Sequence, residues 1–333
     1  ESQGTGAFTI VLTSEPTADV LVAFSVSDST EGALSDTALL FETDNWDVPQ
    51  TVTVSGVNDN VADGDQQYFV NFAAPTSTDA GYAAITPAQL TFTNVDDDSA
   101  GITVELEDAQ SSEGGDTAVF SVVLNSQPTA AVTVHFDTSD STEGVPEATS
   151  VVFTALDWDV PHVIDVTGQN DSIDDGTQPY QIQFTATTGS DAKYAGIVPG
   201  NLSLDNIDND IAGISALATN GDNQVSETPG FVNTAQLGLV LTAQPSANVI
   251  LTLGTSDPGA GSAGVANVTF TPQNWNSLQI VLISGADDAL ADGSEFFQIA
   301  VTAITTTDTQ YLAVTKPSVT YECLDDEQPQ AVD

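Results

Sequence analysis

Asn45-Trp46-Asp47-Val48-Pro49 returns as Asp157-Trp158-Asp159-Val160-Pro161, and again in weaker form as Asn274-Trp275-Asn276. The tryptophans are spaced by 112 (158 − 46) and 117 (275 − 158) residues. Other positions keep the same offsets: Phe41, Phe153 and Phe270; Asp63-Gly64, Asp175-Gly176 and Asp292-Gly293; Tyr82, Tyr194 and Tyr311; Asp96, Asp208 and Asp325. Self-similarity at a long period marks a tandem array. A length of 333 residues suggests two domains at about 150 residues each, but the register gives three copies: 1–98, 99–210 and 211–327, with 328–333 beginning a following linker or strand.

Within the second copy, β-branched and aromatic residues alternate over 102–106, 118–124, 131–136, 150–153, 162–166, 180–186 and 201–204, with turn residues between the runs. Seven short strands without a helical period predict an all-β chain of three tandem immunoglobulin-like antiparallel β-sandwiches arranged end to end. The recurring Phe, Trp and Tyr residues are expected to anchor the cores. Glu1 is the equivalent of Glu113 (113 − 1 = 112), so the first copy is expected to lack the strand that 101–109 supplies to the second. Two explanations stay open. The chain is a piece of a longer array, or an identical subunit lends the strand and builds head-to-tail filaments by strand addition.

Acidic residues number 48 against two lysines, Lys193 and Lys316, for a formal charge of −46. Nucleic-acid binding needs a basic patch, and binding to an anionic membrane surface needs polybasic segments, so both are excluded as expectations. No apolar run approaches the roughly 18 residues of a membrane span, and the first residues show no basic n-region followed by an apolar h-region. The single Cys323 excludes an internal disulfide.

Antiparallel strands divide their loops between the two ends of a sandwich. Counted strand by strand, one end collects Glu1, Asp28, Glu31, Asp59, Asp63, Asp96, Asp97 and Asp98 in the first copy. In the second it collects Glu113, Asp140, Glu143, Asp171, Asp174, Asp175, Asp208 and Asp210, and in the third Glu227, Asp257, Asp287, Asp288, Asp292, Asp325, Asp326 and Glu327. The candidate metal ligands are these residues other than Asp174, Asp292 and Glu327. Two carboxylates 4 Å apart repel by about 4 kcal/mol at an effective dielectric near 20, and this chain has almost no cations of its own to offset it. Hard oxygen ligands in flexible loops suit Ca²⁺, which would also stiffen each junction, with Asp157 and Asp159 expected to help from the following domain. For a single aspartate an Asx turn is the favoured explanation; convergence in three copies is what favours the metal. The third copy departs, since Ala260 stands where the others have Glu31 and Glu143, so its site is expected to hold fewer ions or to bind them more weakly.

The pattern Ser112 to Gly114, Thr138 to Asp140, Val48 to Asn60, Ala62 to Asp65 and Asn94 to Asp98 resembles Calx-beta-type repeats, in the variant found in long arrays of very large secreted bacterial surface proteins and RTX-type adhesins. The resemblance spans essentially the whole chain. It implies calcium held by Glu1, Glu113 and Glu227 at the end of the first strand, by the Asp59 and Asp171 loops and by the Asp96 and Asp208 termini. It also implies an extracellular or cell-surface location.

No nucleophile motif, phosphate loop or zinc spacing is present. His135 and His162 recur in no other copy, and Cys323 takes the position of Asn94 and Asn206. The expected role is a noncatalytic, calcium-stabilised spacer of a surface adhesin. The alternatives are the filament subunit and a module that recognises a surface glycan or protein.

Overall fold

The computed structural model describes residues 1, 4–219, 221, 223–228 and 234–327; the expected beginning of a further strand at 328–333 lies outside them. Each repeat is a sandwich of two sheets. In the second, Gly144–Pro146, His162–Gly168, Thr117–Leu124 and Ile102–Asp108 lie in that order in one sheet. The other holds Ser150–Phe153, Val132–Thr138, Gln178–Gly189, Leu202–Ile207 and Gln110–Ser112. The third repeat has the same order, from Gly261–Ala263 to Ile214–Ala218 in one sheet and from Asn267–Phe270 to Gln224–Ser226 in the other. Among the described residues no helix is long and apolar enough to cross a membrane.

The cores follow from period-two alternation. Val132, Val134 and Phe136 are buried while the residues between them are not, and Phe120 meets Phe136 edge-on with ring centroids 5.2 Å apart. Each such buried side chain contributes about 1.5–3 kcal/mol of hydrophobic stabilisation. Phe41, Phe153 and Phe270 are fully buried. The three tryptophans lie only partly within their cores. Their carbonyls accept from Leu12, Leu124 and Leu241 at 3.1 Å, tying one end of each sandwich together. Tyr194 closes the same end: its hydroxyl donates to the Ser126 carbonyl at 2.6 Å and accepts the Ser126 amide at 3.0 Å. Tyr82 and Tyr311 make the same pair of bonds to Ser14 and Ala243.

One element departs from the strand pattern of the sequence. After Ala109 the chain crosses to the opposite sheet, where Gln110–Ser112 pairs in parallel with Leu202–Ile207. Three residues carry no readable alternation, and a parallel pairing with a distant strand leaves no local turn signature. The crossing delivers Glu113 to the end of that strand, with its amide bonded to the Ile207 carbonyl at 3.0 Å. In the first repeat, Thr5–Ile10, Gln50–Gly56 and Gly32–Leu34 make a three-stranded sheet over a four-stranded partner.

Candidate metal centres

Three carboxylate groups gather at corresponding places: Glu1 with Asp96 and Asp98, Glu113 with Asp208 and Asp210, and Glu227 with Asp326 and Glu327. Within each group the candidate ligand atoms lie within 4.8 Å of one another. In the second and third repeats the glutamate follows the short parallel strand, Gln110–Ser112 or Gln224–Ser226, and in all three the other two acids follow the end of the neighbouring strand.

A repeated clip sets this geometry. Gly64, Gly176 and Gly293 have φ of 86°, 74° and 90°, a region that costs residues with a Cβ roughly 1–2 kcal/mol. The turn aims their amides at Asp96, Asp208 and Asp325, with N–H···Oδ2 distances of 2.5, 2.7 and 2.7 Å. The other oxygen of each aspartate accepts the amide two residues on, of Asp98, Asp210 and Glu327, at 2.8, 2.7 and 2.8 Å. One aspartate thus fastens the loop to the strand end and holds the later acid beside the glutamate.

What the groups lack is a partner. Glu1 and Glu227 are 4% and 5% exposed, and one oxygen of each, with one of Glu327, is buried with no hydrogen-bond partner. Leaving a buried polar atom unsatisfied costs about 1–3 kcal/mol, and more when it is charged. Burial, then the charges of Asp59 and Asp96, push the Glu1 carboxyl up to about 7. Glu327 is also pushed up to about 7, by burial and then by its contact with Asp325. Burial lifts Glu227 as well, with Asp288 and Asp325 adding to it. Glu113 is raised by burial but accepts two long bonds, from Asp171 N at 3.4 Å and Asn209 N at 3.3 Å. The donors are all oxygens, and the orphaned ones are buried carboxyl oxygens. That set fits a hard divalent cation.

The remaining candidates divide. Asp59, Asp171 and Asp288 each accept the amide two residues on, at 2.7 Å, within their own loops. They still add to the charge on Glu1, Glu113 and Glu227 respectively. Asp63 adds to the charge on Glu1, and Asp175 is raised by burial and by Asp171 and Asp208. Asp97 and Asp287 are exposed, Asp97 raising Asp98. Asp28, Asp140 and Asp257 sit in exposed turns and accept the amides of Thr30, Thr142 and Gly259 at 2.9 Å. For these three the turn chemistry accounts for the residue, and the structure does not bring them into the carboxylate groups. Glu31 and Glu143 stand one amide away: Asn94 Nδ2 donates to Glu31 at 3.1 Å and to Glu1 at 3.5 Å, and Asn206 Nδ2 donates to Glu143 at 3.4 Å.

Asp157 is engaged within its own loop, its Oδ1 accepting the Thr154 amide at 2.6 Å and hydroxyl at 2.7 Å, and neither it nor Asp159 belongs to the carboxylate groups. The contacts across the junctions are instead backbone bonds, Gln127 N to Asn60 O and Gln244 N to Ser172 O, both 2.6 Å. Asp174, outside the candidate set, accepts the Ala212 amide at the start of the third repeat at 2.7 Å. Glu327 was also outside it, although its alignment with Asp98 and Asp210 carries the signal. The Asn94 and Asn206 amides had no signal beyond a polar residue in an apolar strand.

The groups with other chemistry are held in structural settings. His135 bonds Thr188 Oγ1 at 2.8 Å, and His162 lies edge-on to Phe153 with centroids 4.7 Å apart. Burial pushes the Cys323 thiol up to about 11, the opposite of what a reactive thiolate needs.

Residues 1–98 and 96–210 each match the Calx-beta domain. Among solved structures, CBD12 from CALX1.2 is 16% identical with a TM-score of 0.26, over 57% of this chain and 77% of that one. The calcium binding domain CBD12 of CALX1.1 is 17% identical with a TM-score of 0.27, over 55% and 74%. Surface layer protein SbsC, domains 4–9, is 12% identical with a TM-score of 0.25, over 91% and 39%. No curated protein matches the sequence.

Proposed function

The chain belongs to the Calx-beta domain family, and on that premise we propose that it is a noncatalytic, calcium-binding spacer whose ions stiffen the junctions of a bacterial surface or secreted adhesin. The observation that carries this reading is the inward, unpartnered carboxylate oxygen of Glu1 and Glu227, each beside two further acids. Glu1, Asp96 and Asp98 would hold an ion in the first repeat, Glu113, Asp208 and Asp210 in the second, and Glu227, Asp326 and Glu327 in the third. A bound cation supplies the counter-charge that two lysines in the whole chain cannot. Asn60 and Ser172 bond the next repeat directly after Asp59 and Asp171, so ordering those loops also orders the junction.

Calorimetric titration of the full chain with CaCl₂, paired with small-angle scattering with and without chelator, tests this. Saturable binding and a narrower distribution of interdomain angles are expected. Absence of binding at millimolar Ca²⁺ would overturn the reading.

A second reading has an observation of its own. Beside Tyr68 and Phe92 in the first repeat is a cavity of about 500 Å³. The corresponding ring in the second repeat, Tyr180, is bonded at 2.9 Å by Ser111 of the crossing strand. A strand from an identical subunit docking there would build a filament, and mass photometry over a concentration series would reveal it as growing oligomers. A glycan or protein recognition module is the remaining alternative, for which saturable hits on a glycan array would be the sign.

A further inference from the structure

The four strands of one sheet in the third repeat, Ile214–Ala218, Ala235–Leu241, Gln279–Gly285 and Gly261–Ala263, contain no charged residue. Alternation turns Val281 and Ile283 into the core and leaves Ile280 and Leu282 on the outer face. Leu217, Leu278, Ile280 and Leu282 are 44–50% exposed. The register brings them together. Leu217 lies beside Gly238 and Gly238 beside Ile280, while Leu282 sits two residues further along beside Gln236. A Cβ on Gly238 would stand 3.0 Å from Leu278 Cδ1, so Leu278 lies over that glycine and joins the same patch.

The second repeat puts carboxylates at these places. Gly264 N to Leu282 O at 2.8 Å, Glu147 N to Asp165 O at 2.9 Å and Ser35 N to Thr53 O at 3.0 Å are the same bond in the three repeats. Leu217 pairs with Gly238 as Glu105 pairs with Ser121. Three exposed acids of the second repeat, Glu105, Glu147 and Asp165, thus give way to Leu217, Gly264 and Leu282. A contiguous exposed apolar patch marks an interaction site, whereas single exposed leucines do not.

We propose that this face is where two copies of the chain pair, sheet against sheet, about a two-fold axis. A two-fold contact sets one patch against itself, so it cannot be lined by one sign of charge. On a chain of −46 with two lysines, the acidic loop ends repel their own copies, and an uncharged apolar face does not. Four strands about 4.8 Å apart and about six residues long present a face of roughly 19 Å by 20 Å, or about 400 Å² from each copy. The pair buries about 800 Å², below the roughly 1,200 Å² of a stable complex, so the contact is weak and reversible. Repulsion between the remaining surfaces opposes it, and added salt strengthens it by screening that repulsion. None of this depends on the calcium reading.

The test is sedimentation velocity of the full chain over a concentration series, at about 0.05 M and 0.5 M NaCl, in chelator and in CaCl₂. A reversible monomer–dimer equilibrium, shifted toward dimer by salt, is expected. L217E and L282D place at these positions the residues of the second repeat, which the same sheet already accommodates, and are expected to lose the dimer. L282T, with the residue of the first repeat, is expected to weaken it about fivefold and carries the test if an acidic variant fails to melt cooperatively. A wild-type chain that stays monomeric at every concentration and salt, or variants that pair as the wild type does, would overturn the proposal. Oligomers that grow beyond two and are indifferent to L282D would assign self-association to strand addition and overturn it as well. So would a monomer that binds phosphatidylcholine vesicles and loses this binding in L282D, since the face would then serve a lipid surface.

Discussion

The Gly176 amide donates to Asp208 Oδ2 across 2.7 Å, joining a loop tip to the end of a strand that follows it by 32 residues. Glycine at φ 74° makes this bond possible, and Asp208 in turn orients Asp210 beside Glu113. Gly176→Ala is therefore expected to lose about 1–2 kcal/mol of stability from backbone strain and to weaken calcium binding at the second repeat. Urea unfolding in chelator measures the first effect and titration of the folded protein the second.

The raised carboxyls make the metal-free protein sensitive to pH. Burial and the neighbouring charges of Asp59 and Asp96 push the folded-state Glu1 carboxyl up to about 7 from its ordinary 4.5, so between these values it is neutral where its unfolded counterpart is already charged. The stability from this group is fully present below the unfolded value and is lost as pH rises through the folded one. Melting temperature in chelator is expected to fall between pH 4.5 and pH 7, and the fall should vanish in saturating Ca²⁺. A melting temperature that climbs over that window in chelator would contradict the assignment.

Glu113→Gln removes one charge from the second group while keeping its shape. Calcium affinity at that repeat is expected to drop by about tenfold, whereas the chelated protein should melt at the same temperature or higher. Loss of stability in chelator would mean that Glu113 serves the fold and not an ion.

Chelation of the wild-type chain is expected to lower its melting temperature. Ligand that binds only the folded state adds about 2.7 kcal/mol per site at one hundred times its Kd. Differential scanning calorimetry against free Ca²⁺ concentration should therefore give a logarithmic rise.

Tyr194→Phe is the contrasting substitution. It deletes the hydroxyl that bridges the amide and carbonyl of buried Ser126, at the end of the sandwich closed by Trp158. About 1–3 kcal/mol should be lost, with calcium affinity unchanged. A parallel loss of affinity would show that the two ends of the sandwich are coupled.

The sandwich and the acidic end were legible because each leaves a periodic trace. Residues alternating as Val132, Val134 and Phe136 do can bury one face only as a strand, and the offsets of Trp46, Trp158 and Trp275 set the register of the repeat. Counting strands then assigned every loop to an end. It could not separate Asp140, which serves its own turn with Thr142, from Asp210, which joins Glu113, because both are aspartates in loops at the same end.

Composition and spacing alone determined that this chain is a tandem β array with a charge it cannot neutralise internally. Only the tertiary structure decided which carboxylates meet. That choice depends on a three-residue parallel strand at Gln110–Ser112 and on amides lent by Gly176 and Asn206. Such contacts join residues far apart in the chain, and local sequence carries no record of the partner.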